Sequence, residues 1–276
     1  MELLMSSRLL AMSLSALLAA TLPGFSLAAQ ASDVSTSLLK LHQLRLAAQK
    51  SLSDFYMYNG MEGDQRYARM INESLSEASE HLNELNEMPG EGSKALRAQL
   101  EQQWQGYQTD LNNLTSALKT QGYTDLQPVA KLAARNQQLM ALSQELYSKI
   151  QQEDGHNVAA LTQQSREQSL LMQAIAVDYA SRSASVGATF MGGGTSRPME
   201  ELVGEFASKL ANMEKSPQNT PQITQTLSGV NSKWRYIEKS LMNYNENSVP
   251  FLVNKYSDSI IEGLESVSAQ YSATQH

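Results

Sequence analysis

The sequence predicts an all-α protein, made of two tandem antiparallel four-helix bundles that follow an export signal. Three observations predict this fold. The 276 residues are 41% hydrophobic but include few glycines and prolines, a mix that suits long helices better than sheets. Apolar residues recur at helical spacing, as in Leu132, Leu139 and Leu146. Finally, the second half of the chain repeats landmarks of the first.

Residues 1–31 are typical of a secretory signal peptide. Arg8 and the amino terminus supply positive charge, and the apolar run Leu9–Leu22 follows. The small residues Ala29 and Ala31 then predict cleavage after Ala31. A retained membrane anchor is the alternative, which the shortness of the apolar run disfavours. We therefore expect the mature protein to be soluble and, in a Gram-negative cell, periplasmic.

The repeat is visible as pairs of residues that keep their order and nearly keep their separation. The pairs are Gln49 and Gln173, Asp54 and Asp178, Trp104 and Trp234, and Pro128 and Pro250. Their separations are 124, 124, 130 and 122 residues, and the two tryptophans are the only ones in the chain. This pattern predicts two equivalent domains, 32–155 and 156–276.

Each half contains four segments with helical periodicity, separated by glycine- or proline-containing breaks such as Asn59-Gly60, Asp154-Gly155 and Gly192–Gly194. Short connections make neighbouring helices antiparallel. The predicted segments are 34–58, 63–87, 92–119, 126–152, 158–186, 197–214, 220–243 and 248–272.

Composition argues against several classes of function. A formal net charge of -7 and the lack of a Lys/Arg cluster argue against a nucleic-acid partner. The absence of cysteine excludes disulfides and thiolate chemistry. Glu77 and His81 have metal-ligand spacing on only one helix, so we expect a charged outer face there, with no metal and no cofactor. No serine nucleophile with a base is apparent, and we expect no enzyme activity.

Arg45, Gln49 and Lys50 are the candidate ligand-binding residues. Arg45 and Gln49 are four residues apart, so they share a helix face. A guanidinium beside an amide suits a small oxyanion such as nitrate. The alternative is a solvated polar stripe.

The repeated landmarks have structural interpretations. We expect Asp54 and Asp178 to fix helix ends through capping or interhelical hydrogen bonds, since no second carboxylate is seen to converge with either for acid–base catalysis. Trp104 and Trp234 are expected to be core anchors whose ring N–H groups find acceptors. Gln173 is the second-half counterpart of Gln49.

The landmark pattern resembles the PilJ-type helical input domain of type IV pili chemotaxis transducers, which is related to nitrate/nitrite sensor input domains. Residues 167–179 follow the family's first-helix motif without a gap and keep its Gln, Leu, Gln, Ala, Asp and Tyr positions. The first copy keeps Arg45, Gln49, Lys50, Asp54 and Phe55.

The resemblance implies a periplasmic sensor-like binding module that binds either a small ligand, such as an anion, or a membrane receptor partner. In nitrate-sensing relatives, an arginine of the first helix binds the anion at a site shared across a dimer, which makes a homodimer plausible. Arg45 stands at that position in the first copy, and Ser169 stands there in the second. The alternative is a scaffolding envelope protein linked to pili or biofilm, without a small-molecule ligand.

Overall fold

A computed structural model describes residues 24–85, 87–185, 197–244, 246 and 248–274. Within these ranges the chain forms eight α-helices and no β-strand, which confirms the all-α prediction. None of the helices in the described ranges is long and apolar enough to cross a membrane. The helices are α1 (Gly24–Gly60), α2 (Gln65–Asn83), α3 (Glu91–Gln121), α4 (Leu126–Asp154), α5 (Ala160–Ala184), α6 (Met199–Glu214), α7 (Pro221–Met242) and α8 (Pro250–Thr274).

The helix ends follow the predicted breaks because local signals set them. Gly122 and Gly155 end α3 and α4 with φ values of 81° and 75°, a left-handed conformation that glycine adopts without strain. At the start of α7, the Thr220 side chain accepts a hydrogen bond from the Ile223 N–H, and Pro221 occupies the first position.

The start of α1 is the largest difference from the predicted segments. α1 begins at Gly24, ten residues before the predicted start at 34, so residues 24–31 form its first turns. The apolar run Leu9–Leu22 of the predicted signal peptide lies outside the described residues, as does the Gly192–Gly194 break.

The buried apolar side chains form two clusters. The first draws on α1 to α4, together with Val177 and Ala180 of α5. The second draws on α5 to α8. α1 packs against α2, α4 and α5, and α5 packs against α1, α6 and α8. The two halves of the chain therefore meet mainly along α1 and α5.

The two tryptophans occupy matching positions in the two clusters. Each lies thirteen residues after the first residue of its helix, α3 or α7, and each is 2% exposed. The Trp104 ring N–H donates to the Ser79 Oγ of α2 at 3.1 Å. The Trp234 ring packs against Phe206 of α6 with centroids 4.2 Å apart, but its N–H has no hydrogen-bond partner in the described part of the chain. The core-anchor prediction is confirmed for both, whereas the expected acceptor is present only for Trp104.

α1 and α5 run in the same direction and in the register of the sequence repeat, because His42 lies near Arg166 and Gly60 lies near Ala184. A methyl group on Gly60 would lie 3.2 Å from the Cα of Ala184, so the two helix ends are in close contact. Gly60 and Ala184 are 124 residues apart, the same separation as Gln49 and Gln173. Equivalent positions of the two halves therefore face each other across this helix pair.

Candidate functional site

An open groove lies where α1 faces α8, with one residue each from α2 and α5. Its volume is about 450 Å³. We call it the α1–α8 groove. It is lined by Gln43, Leu46, Ala47, Lys50, Glu77, Gln173, Asp258, Ile261, Glu262 and Glu265. Both halves of the chain contribute to the groove, and most of its lining side chains are polar.

Lys50 joins α1 to α8 inside this groove. Its Nζ donates to both carboxylate oxygens of Asp258 at 2.9 Å and lies 3.6 Å from Asp54 on the same helix. Burial alone would lower the pKa of Lys50, but the Asp54 and Asp258 carboxylates outweigh burial and raise that pKa. Lys50 is therefore a cation held between two carboxylates from different halves of the chain.

Asp54 is fully buried and is the weaker partner of Lys50. Its carboxylate accepts a hydrogen bond from the Ser74 Oγ of α2 at 3.0 Å, which confirms the expected interhelical hydrogen bond. Burial raises the pKa of Asp54 to about 7, because the Lys50 ammonium offsets the lost hydration only in part and Asp258 adds repulsion. Asp54 thus changes its charge near neutral pH.

The Asp54→Asn variant is expected to remove a component of the pH dependence of stability. Because the folded-state pKa of Asp54 is raised from 3.8 to about 7, the folded state binds the proton more tightly than the unfolded state. Asp54 therefore favours the folded state most at low pH, and this contribution is lost as pH rises from about 4 to about 7. Urea unfolding of both proteins across this range measures the difference. The free energy of unfolding of the variant should rise relative to wild type, by a few kcal/mol at most. A constant difference would contradict the assignment.

His42 makes the second polar contact between α1 and α8. It is 1% exposed, and its Nε2 lies 2.9 Å from the Glu265 Oε1. Burial lowers the pKa of His42 below its ordinary value and outweighs the neighbouring carboxylate. At neutral pH the uncharged imidazole therefore donates its N–H to the Glu265 carboxylate.

The structure does not bring Arg45, Gln49 and Lys50 together in one site. Lys50 lines the α1–α8 groove, whereas Arg45 and Gln49 do not. Burial lowers the pKa of Arg45, and Tyr147 of α4 and Glu167 of α5 act against that shift. The Arg45 Nε and one Gln49 side-chain oxygen are buried without a hydrogen-bond partner among the described residues. As whole residues, Arg45 and Gln49 are half-buried.

Arg166 of α5 is a buried guanidinium that was not predicted as a site residue. It is 5% exposed, its Nη1 donates to the Tyr147 Oη at 3.4 Å, and its Nε has no hydrogen-bond partner among the described residues. Both Arg45 and Arg166 act electrostatically on His42. The contact between the halves therefore contains three basic side chains close to one another.

The second-half landmarks Asp178 and Gln173 differ from their first-half counterparts. Asp178 is fully buried and accepts a 2.7 Å hydrogen bond from Arg182 of its own helix, so the observed bond is intrahelical rather than the expected capping or interhelical one. Gln173 is 3% exposed and lines the groove, and its side chain makes no hydrogen bond with another described residue. The pKa of Asp178 is raised by burial, which Arg182 opposes.

Three carboxylates of α8 line the groove but were not predicted as site residues. Asp258, Glu262 and Glu265 are spaced so that they share one helix face, a pattern present in the sequence. By contrast, His81 is 9% exposed and paired with Glu84 at 3.2 Å, so the expected charged outer face is wrong for this residue. Among the described residues, no group of His, Asp and Glu side chains is arranged to hold a metal ion.

Comparison with models of known protein families, with curated proteins and with solved structures finds no match for the chain.

Proposed function

We propose that this chain is a non-catalytic, periplasmic ligand-binding module of the sensor-input type. In this proposal it consists of two tandem PilJ-like four-helix bundles, and its ligand binds at the contact between them. The observation that carries the proposal is the α1–α8 groove, which is crossed by the Lys50–Asp258 and His42–Glu265 contacts. A ligand in the groove would act on contacts between the two halves.

The internal register supports the tandem arrangement. α1 and α5 lie side by side in the same direction, with equivalent residues such as Gly60 and Ala184 in contact. Sensor relatives of the PilJ type share a ligand site across a dimer, and the pairing of α1 with α5 would supply such a contact within one chain. The matching positions of Trp104 and Trp234 add support.

The unpaired polar atoms between the halves support ligand binding over pure scaffolding. Buried polar atoms without partners cost about 1–3 kcal/mol each, so a surface selected only for rigidity would pair them or replace them with apolar groups. Here the Arg45 Nε, the Arg166 Nε and side-chain oxygens of Gln43 and Gln49 lack partners among the described residues. A contact of this kind can shift between two arrangements at low cost, as a sensor requires.

The periplasmic location is the part of the proposal that rests on residues 1–31. Their positive end, apolar run and Ala29-Gln30-Ala31 site support export and cleavage. In the periplasm, a membrane receptor would be the natural partner to relay occupancy.

Thermal and urea unfolding of the full chain with a panel of small molecules tests the binding function. The panel comprises nitrate, nitrite, small carboxylates, amino acids and linear amines. A ligand present at one hundred times its Kd should raise the free energy of unfolding by about 2.7 kcal/mol. If no compound stabilises the protein, the ligand-binding proposal fails. In that case a stable protein partner captured from periplasm would favour the scaffolding alternative.

A small anion is a second candidate ligand, favoured by the unpaired Nε atoms of Arg45 and Arg166. We expect nitrate or a similar oxyanion to stabilise the wild-type protein, because the buried Nε groups of both arginines can donate to it. Arg45→Ala should abolish that stabilisation.

Arg69→Ala is the matched control, since Arg69 is an exposed arginine of α2 and lies outside the three described cavities. Its response to nitrate should equal that of wild type. Equal stabilisation of the Arg45→Ala variant and wild type would rule out an anion site at Arg45.

A further inference from the structure

We infer that the α1–α8 groove binds a linear aliphatic amine, an organic cation rather than an anion. This inference rests on the proposed ligand-binding function and names the ligand class of that groove. The sequence predicts an anion site that includes Lys50, but the acidic side chains that surround Lys50 in the structure favour a cation.

The side chains that line the α1–α8 groove are mainly acidic. The groove contains one cation, Lys50, and four carboxylates, Glu77, Asp258, Glu262 and Glu265. Since Lys50 is already bound to Asp258 and Asp54, the remaining groove carries a net negative charge. The carboxylate of Glu262 is exposed, and no ion pair is observed for it among the described residues. Such a lining attracts cations and repels oxyanions.

Three of these carboxylates form a row along α8, which we call the acidic row. Asp258, Glu262 and Glu265 lie at positions i, i+4 and i+7 of α8, and the row extends over about 10 Å along the helix axis. A linear di- or triamine places ammonium groups several methylenes apart and can contact successive members of this row. The apolar side chains of Leu46 and Ile261 line the same groove and can pack against the methylenes.

Two amide side chains of the groove have hydrogen-bonding capacity that the described residues do not use. Gln173 is 3% exposed and lines the groove, and no hydrogen bond joins its side chain to another described residue. Gln43 also lines the groove, and its buried Oε1 has no hydrogen-bond partner. An amide oxygen accepts hydrogen bonds from an ammonium group, which carries three donors and no acceptor. A bound amine would therefore satisfy buried groups that the protein leaves unpaired.

The groove already accommodates one primary ammonium group. The Lys50 Nζ sits there with two carboxylate contacts of 2.9 Å to Asp258. These contacts demonstrate that the spacing of α1 and α8 suits an ammonium group between their side chains. A ligand amine would occupy the adjoining stretch toward Glu262 and Glu265.

Isothermal titration of the full chain with spermidine, in about 150 mM salt to screen weak surface binding, tests this inference. We expect one spermidine per chain. Glu262→Gln should weaken binding about fivefold, because it removes one charge and keeps the size of the side chain. The matched control is Glu145→Gln, an exposed glutamate of α4 outside the groove, which should bind as wild type does.

Gln173→Leu adds a variant that keeps the net charge, and its unfolding midpoint is measured alongside to verify folding. It should weaken spermidine binding several-fold, since leucine cannot accept a hydrogen bond. Absence of binding to wild type would overturn the inference, as would equal weakening by Glu262→Gln and Glu145→Gln. If nitrate or a carboxylate stabilises the protein while spermidine does not bind, the amine inference fails and the broader ligand-binding function stands.

Discussion

The Trp234→Ala variant is expected to lose about 3–5 kcal/mol of unfolding free energy, the range for deleting a large buried aromatic side chain. Trp234 is 2% exposed and packs on Phe206 at 4.2 Å, so its removal leaves a cavity between α6 and α7. Urea unfolding followed by circular dichroism measures the loss.

Arg235→Ala is the matched control for this prediction, because Arg235 is the exposed neighbour on the same helix. Its unfolding free energy should stay within about 0.5 kcal/mol of wild type. We also expect Trp104→Phe to cost more than Trp234→Phe, because only the Trp104 N–H makes a hydrogen bond, to Ser79. A loss below about 1 kcal/mol for Trp234→Ala would contradict a close-packed second cluster.

The Lys50→Met variant is expected to lose about 3 kcal/mol of unfolding free energy at pH 8, because it leaves a buried carboxylate without its counter-ion. Asp54 is fully buried, and Asp258 loses both of its 2.9 Å contacts. The loss should be smaller at pH 5.5, since Asp54 is protonated below its pKa of about 7. Urea unfolding at the two pH values measures both effects.

Two comparison variants make the Lys50 prediction specific. Lys239→Met changes an exposed lysine of α7 and should alter stability by no more than about 0.5 kcal/mol. The double variant Lys50→Met with Asp54→Asn should recover part of the loss at pH 8, because the buried charge is gone. Equal losses for Lys50→Met at both pH values would contradict the role given to Asp54.

The helices could be predicted from sequence because local signals determine them. Leucine periodicity in α4 and the glycines after α3 and α4 act over a few residues, and the structure follows them. The start of α1 could not be placed in this way, since the segment before residue 34 was interpreted as an export signal instead of a helix.

The candidate site was only partly predictable. Residues five apart on a helix are separated by about 140°, so Lys50 points away from Arg45, and this much follows from the spacing. The identity of the residue that pairs with Lys50 does not follow from the spacing. Asp258 lies 208 residues later, and only the packing of α8 brings it close.

The two repeated aspartates illustrate the same limit. Asp54 and Asp178 hold equivalent positions, but Lys50 pairs with the first and Arg182 with the second. At the repeat separation of 124 residues, Lys50 corresponds to Ala174 and Arg182 corresponds to Tyr58. Both halves therefore keep the buried aspartate. Its basic partner lies four residues before it in the first half and four residues after it in the second.

The parallel pairing of α1 with α5 bears on the number of ligand molecules that one polypeptide can bind. A symmetric homodimer must present every surface twice, whereas two halves joined in one polypeptide can diverge independently. The acidic row of α8 lines the groove against α1, and the corresponding positions of α4 carry none of these acids. The buried positions of α4 and α8 match at a separation of 121 residues, so the counterparts of Asp258, Glu262 and Glu265 are Gln137, Ala141 and Gln144, while Lys50 corresponds to Ala174. Within the described part of the chain, the acidic row therefore has no copy in the first half, and saturation by the proposed ligand should require one equivalent per polypeptide instead of two.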